Sequence, residues 1–184
     1  VFEKETYRLL GAQIVGYEGV DKRIDVLATA IRAKMTAVEL KDLDLAYAPP
    51  YSSAKDPVNM AGFMIDNIAN GTLKQWHLAD LESLPMDGSV TLLDTRTVGE
   101  YRLGHIDGFL NIPVDELRER LNELDRSKPI YVICQSGLRS YIASRILEGN
   151  GFATYNFSGG FRFYDTVIND RALVESSFAC GMDK

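Results

Sequence analysis

Chemistry in this sequence is best sought at Cys134. The apolar run Ile130-Tyr131-Val132-Ile133 leads into it, Gln135-Ser136-Gly137-Leu138-Arg139-Ser140 follows, and then Ile142, Ala143, Ile146 and Leu147 recur at helical spacing. The pattern reads as a buried strand, a short loop and a helix, with Cys134 where the strand stops. In a parallel sheet, ligands bind beyond the carboxyl ends of the strands, and a helix opening just after such a loop aims its free N–H groups and positive dipole end at it. A thiolate or a persulfide on Cys134 is an anion stabilised by that arrangement. Gly137 permits backbone conformations that turn N–H groups inward, and Arg139 offers a further positive charge. The competing reading makes Cys134 a small buried apolar residue, a common fate for a free cysteine. The loop-and-helix context favours the reactive reading.

The elements that must position this loop alternate along the second part of the chain. Short apolar segments at 72–77, 90–94, 109–112, 130–134 and 153–157 predict strands, and 98–102, 115–124, 140–148 and 161–168 predict helices. Alternation of this kind predicts an α/β layer with a mostly parallel sheet. Asp94 and Arg96, at one predicted strand end, are read as loop anchors, and His105 as a satisfied structural histidine before a general base. Cys180, in a Ser-Phe-Ala-Cys-Gly-Met tail, is a secondary candidate that could resolve a persulfide.

Before residue 71 the pattern differs. Residues 1–16 predict a hairpin in need of partner strands, and 21–35 an amphipathic helix with Ile24, Leu27, Ala28, Ile31 and Met35 inward. Thr36 and Glu39 fit a capping box. The Ala48-Pro49-Pro50-Tyr51 stretch predicts a fixed, extended connection, and Asp56-Pro57 a helix start with Val58, Ala61, Ile65 and Ile68 on its apolar face. The change of pattern near 71–76 places a domain boundary there, giving units 1–71 and 72–184.

Composition narrows the classes. With 184 residues, 46% of them hydrophobic and 25% charged, the chain has the composition of an ordinary globular protein, not a disordered one. A net charge of −6 supplies no field for phosphate backbones or anionic lipid, so nucleic-acid and membrane partners are not expected. No apolar run is long enough for a membrane span and no signal peptide opens the chain, which predicts a cytoplasmic protein. Two cysteines and two histidines, His77 and His105, make neither a disulfide scaffold nor a closely spaced metal site. The first residue is Val1, in what reads as mid-strand, as expected for a piece of a longer protein.

With these residues in view, the second part of the chain resembles a rhodanese domain. Leu92-Leu93-Asp94-Thr95-Arg96, Glu100-Tyr101 and Gly104-His105-Ile106-Asp107-Gly108-Phe109-Leu110-Asn111-Ile112-Pro113 resemble its first signature. The cysteine loop and Phe157-Ser158-Gly159-Gly160-Phe161 resemble its second and third, although Tyr164 stands where a Trp is common. The resemblance implies a three-layer rhodanese-like fold and a sulfurtransferase mechanism. Cys134 takes sulfane sulfur as a persulfide and passes it on, with Gln135, Ser136, Gly137, Leu138, Arg139 and Ser140 forming the substrate-binding loop.

The first part resembles the carboxyl-terminal α+β dimerisation domain of flavin-dependent pyridine nucleotide-disulfide reductases, here truncated. Leu10-Gly11-Ala12-Gln13-Ile14-Val15-Gly16, Asp25-Val26-Leu27-Ala28-Thr29-Ala30-Ile31 and Tyr47-Ala48-Pro49-Pro50-Tyr51 through Gly62 carry the likeness, and the last is similar to the coenzyme A-disulfide reductase branch. The resemblance implies an NADH- and FAD-dependent reductase of coenzyme A disulfides, persulfides or polysulfides, a homodimer in which Tyr47 serves the partner subunit's active site. Substrates would be a small sulfane-sulfur compound or a coenzyme A thiol. No G-x-G-x-x-G motif occurs here, so FAD and NADH are expected on upstream domains and no cofactor on this chain alone.

Two alternatives are weighed. A tyrosine phosphatase also sets a cysteine in an anion-binding loop, but its arginine stands six positions on, where Ser140 lies, and Arg139 is one position early. The other alternative is a catalytically idle dimerisation and binding module, against which an intact Cys134 argues.

Overall fold

A computed structural model describes residues 1–177, with side chains through residue 173. It divides into two compact units, one from Val1 to Thr72 and one from Leu73 onward.

In the first unit, α1 spans Val20–Arg32 and α2 spans Pro57–Ala69, with a 3₁₀ turn at Glu39–Asp42 between them. Leu9, Ala30, Ala37, Leu40 and Val58 form its core, with Val26, Leu27, Ile31, Met35 and Ile65 packed against them. The inward face of α1 is therefore rotated from the expected one: Val26 and Ala30 point in, while Ala28 is exposed. The helix stops at Arg32 because Lys34 takes the left-handed conformation at φ 62°. α2 starts as read: the Asp56 side chain accepts the Val58 N–H, Asn59 returns the bond to the Asp56 N–H, and Pro57 sits at the first position. Thr36 and Glu39 likewise exchange the bonds of a capping box.

Two expectations fail here. The hairpin at 1–16 reduces to a bridge between Phe2 and Leu9, with Arg8 bridged to Thr36. Leu10 and Val15 are left exposed because, among the described residues, no strand lies against the run beyond Leu9. The Pro49-Pro50 stretch is a turn rather than an extended connection, closed by the Tyr51 and Ser52 N–H groups on the Ala48 carbonyl. Proline suits that place, since its fixed φ matches the second turn position.

The second unit is a five-stranded parallel sheet. Its strands are β1 (Gln75–Trp76), β2 (Thr91–Asp94), β3 (Leu110–Asn111), β4 (Ile130–Ile133) and β5 (Thr154–Phe157), in the order β1-β5-β4-β2-β3. The helices are α3 (Val98–Leu103), α4 (Leu138–Gly149) and α5 (Gly160–Ser177). Successive side chains of a strand face opposite sides, and both sides are covered here. Leu93, Ile130 and Val132 pack with Ala143, Ile146 and Leu147 of α4, whereas Leu92, Tyr131, Ile133 and Phe157 pack with Trp76 and with Phe161 and Tyr164 of α5. The result is the three-layer α/β arrangement, and Tyr164 is a core aromatic of the α5 layer.

The helix expected at 115–124 is absent. Residues 114–119 are turns and Leu121–Glu123 is a short 3₁₀ helix, with hydrogen bonds closing on the third residue back, as in Glu116 N–H to Pro113 and Leu124 N–H to Leu121. The tighter winding still buries Leu117 and Leu124 in the core against α4. Among the described residues no helix is long and apolar enough to cross a membrane.

Candidate functional site

The parallel sheet brings Asp94 at the end of β2 beside Ile133 at the end of β4, and Cys134 follows at that edge. Cys134 is completely buried. Its carbonyl accepts the Phe161 N–H at 2.7 Å and the Gln135 carbonyl accepts the Arg162 N–H at 3.1 Å, so the first turn of α5 pins the start of the loop from behind. Gly160 makes that approach possible. A Cβ on it would lie 2.6 Å from the backbone of Gln135 and Ser136, and its φ of +70° is one L side chains rarely adopt.

The sulfur has two polar neighbours. The Gly137 N–H donates to Cys134 Sγ at 3.1 Å, with Gly137 at φ 107° as the N-cap of α4. Ser140 Oγ, on the first turn of α4, lies 3.2 Å from Sγ and 3.1 Å from the Gly137 carbonyl. A hydroxyl has one hydrogen, so the two contacts alternate. With a thiol, the S–H points at Oγ and the hydroxyl donates to the carbonyl; with a thiolate, the hydroxyl turns to the sulfur. An anionic sulfur therefore finds a backbone N–H, a hydroxyl and the positive end of a twelve-residue helix already facing it. The Asn156 side-chain amide steadies the loop from β5, donating to the Gly137 carbonyl at 3.3 Å.

Two arginine–carboxylate pairs flank the loop. Asp94 and Arg96 are both buried, and the guanidinium donates to the carboxylate at 2.7–3.1 Å, to the Gly104 carbonyl at 2.8 Å and to Gln135 Oε1 at 3.4 Å. The Phe161 ring lies 3.8 Å from its centre. Arg96 thus ties β2, the turn after α3, the loop and α5 together, the anchoring role read for it. The second pair is not foreseen from the sequence. The two terminal nitrogens of Arg139 donate to both oxygens of Glu100 at 2.6 and 2.7 Å, so a carboxylate offsets the charge that Arg139 also directs toward Cys134. These bonds, with further donors from Thr97, hold the Glu100 carboxyl down to about 2. The Thr-x-x-Glu spacing from Thr97 marks Glu100 as a helix-capping residue, whereas nothing local marks its pairing with a residue 39 positions on.

Of the expected loop residues, Gln135, Gly137 and Arg139 are half-buried, Ser140 is buried, and Ser136 and Leu138 are exposed at the surface above Cys134. His105 is exposed, stacked on Tyr101 with its Nδ1 3.1 Å from the Tyr101 carbonyl. In the first unit Tyr47 and Tyr51 are exposed at 52% and 82%. Cys180 lies outside the described residues. No group of three or more His, Cys, Asp or Glu among the described residues could hold a metal ion.

The family model described as a rhodanese-like domain matches residues 77–165, and that of the pyridine nucleotide-disulphide oxidoreductase dimerisation domain matches residues 1–57. The region matched by the first model carries the cysteine loop, and the region matched by the second carries Tyr47. Two solved structures resemble both domains. A reduced Bacillus anthracis CoADR-RHD is 47% identical with a TM-score of 0.78, covering 84% of this chain and 28% of that one. A NAD-dependent persulfide reductase from A. fulgidus is 43% identical with a TM-score of 0.74, covering 89% and 29%. The coenzyme A disulfide reductase of Staphylococcus haemolyticus is 52% identical over 62 residues, 34% of this chain and 14% of that protein. The chain therefore spans less than a third of the length of each of these three proteins.

Proposed function

We propose that this chain is the carboxyl-terminal part of a coenzyme A-disulfide, persulfide or polysulfide reductase in which the rhodanese-like domain is a working sulfur carrier. The observation that carries the reading is Cys134 Sγ at the end of β4, under the Gly137 N–H and the Ser140 hydroxyl at the start of α4. The thiolate attacks the outer sulfur of a sulfane-sulfur donor; a Cys134 S–S bond forms, the donor's S–S bond breaks, and the leaving sulfur departs with the electron pair. Gln135 to Ser140 hold the resulting persulfide anion. An acceptor thiolate then attacks the outer sulfur and the Cys134 thiolate leaves. Because Cys134 is fully buried, each exchange requires the loop at Ser136 to Leu138 to open.

NADH and FAD supply the reducing electrons in such a reductase. This chain has no glycine-rich phosphate loop for them, so they belong to other domains of a longer cytoplasmic protein. The dimerisation domain pairs two subunits, and Tyr47, exposed and bearing a hydroxyl, serves the partner's reductase site by donating a hydrogen bond to a leaving thiolate. A second reading, an idle dimerisation and binding module, draws on the complete burial of Cys134. The two part in an assay of sulfur transfer from a glutathione persulfide donor to cyanide. The carrier reading predicts turnover that Cys134→Ser abolishes while circular dichroism stays unchanged. Turnover that survives in Cys134→Ser would move the carrier role elsewhere, and none in the wild type would favour the idle module.

A further inference from the structure

Arg139 is the one cation between Cys134 and Ser140, and its charge is offset by a paired carboxylate. Both terminal nitrogens are bonded to Glu100, which cannot easily swing away because its carboxylate also accepts the Thr97 N–H at 3.0 Å and the Thr97 hydroxyl at 2.7 Å. On the inner side of the loop the Arg96 charge is matched by Asp94 in the same bidentate manner. Arg96 and Arg139 therefore each carry their own carboxylate, and the two pairs flanking the loop are each neutral before the thiolate forms. Arg162 gives the loop its backbone N–H, while the residue itself is exposed on α5.

Sulfane-sulfur donors differ in what they ask of such a site. Thiosulfate brings two negative charges toward a thiolate and leaves as sulfite, so it needs an uncommitted cation to offset the repulsion. An alkyl persulfide brings at most one charge and leaves as a thiol or thiolate, which one N–H and one hydroxyl can accommodate. In both cases the Cys134 thiolate takes the outer sulfur, one S–S bond replaces another, and the charge is conserved: RSSH gives RSH, and thiosulfate gives the sulfite dianion.

We propose that Glu100 is a specificity-determining residue of the sulfur-transfer site: by holding Arg139 in a bidentate pair it denies the loop a free cation and so selects alkyl persulfides over thiosulfate. Glu100 acts through Arg139 and not on the sulfur, which makes it a positioning residue. The inference rests on the sulfur-carrier reading above.

The test compares wild type, Glu100→Gln and Arg139→Gln in this chain, measuring the rate at which Cys134 gains a sulfur from thiosulfate and from glutathione persulfide, with alkylation to stop the reaction. Gln at position 100 still accepts from the Thr97 N–H, so α3 keeps its cap, but Arg139 loses its counter-charge. The ratio of thiosulfate to persulfide rate should rise roughly tenfold, the scale of one partly exposed charge, and the gain should shrink at high salt. Arg139→Gln should move the ratio the other way, because it leaves Glu100 unpaired beside the loop. Rates that fall alike for both donors in both variants would show a structural role only and overturn the proposal. Should Glu100→Gln not fold, the Arg139→Gln ratio decides alone: a ratio equal to the wild type's overturns it. Failure of the wild type to load from either donor would instead remove the sulfur-carrier reading, and the proposal with it.

Discussion

The two ion pairs beside Cys134 use the same chemistry in different surroundings. The Asp94 and Arg96 side chains are 1% and 2% exposed, while those of Glu100 and Arg139 are 32% and 30% exposed. A buried pair is held by every neighbour it satisfies, and breaking it strands a charge in a medium that cannot solvate it. A half-exposed pair shares its partners with water, so removing one member costs little stability. The inner pair is therefore a fixed post on which the sheet edge, the loop and α5 are hung. The outer pair is a place where charge near the loop can be changed without dismantling the fold.

The comparison breaks most visibly at Arg96. Arg96→Ala leaves Asp94 buried and unpaired and strips the guanidinium from the Phe161 face, so thermal unfolding should show a loss of about 3–5 kcal/mol. Gly160→Ala attacks the same frame from the α5 side. Its Cβ meets the Gln135 and Ser136 backbone and its φ stays positive, so a loss of about 1–3 kcal/mol and a displaced cysteine loop are expected, read by denaturant unfolding and by slower persulfide formation. A stability within error of the wild type would show that the loop does not depend on that close approach.

The smallest effect is expected at the outer pair. Glu100→Gln should cost about 1 kcal/mol or less at neutral pH. Its pH dependence is more telling. The Glu100 carboxyl lies well below its unfolded value of 4.5, so its stabilisation is complete above about pH 5 and is lost as the pH falls toward 2. Unfolding measured across that window should fall more steeply in the wild type than in Glu100→Gln. Parallel curves would mean the pair adds nothing to stability.

What could be read from the sequence follows the range of each interaction. The cysteine loop was legible because strand, cysteine, glycine and helix lie within a few residues of one another, and the Asp94–Arg96 anchor because its partners are two apart. The caps at Asp56 and Thr36 were legible for the same reason. The Glu100–Arg139 pair joins residues 39 apart and has no local signal, so Arg139 reads as a free cation until α3 is seen across the loop. The segment 115–124 misleads differently: Leu117, Leu121 and Leu124 recur three or four apart, a spacing that suits an α-helix and a string of 3₁₀ turns alike, and packing of Leu117 and Leu124 into the core decides for the turns. The run beyond Leu9 has the composition of a strand, but strand formation depends on a neighbour that no local pattern supplies.

The central claim is that Cys134 carries sulfur. It is tested most directly by the intact mass of this chain after brief exposure to glutathione persulfide, before and after addition of an acceptor thiol, with the modified residue mapped by fragmentation. One added sulfur on Cys134 that the acceptor removes is the expected result. No added sulfur, or one mapped to Cys180, would contradict it.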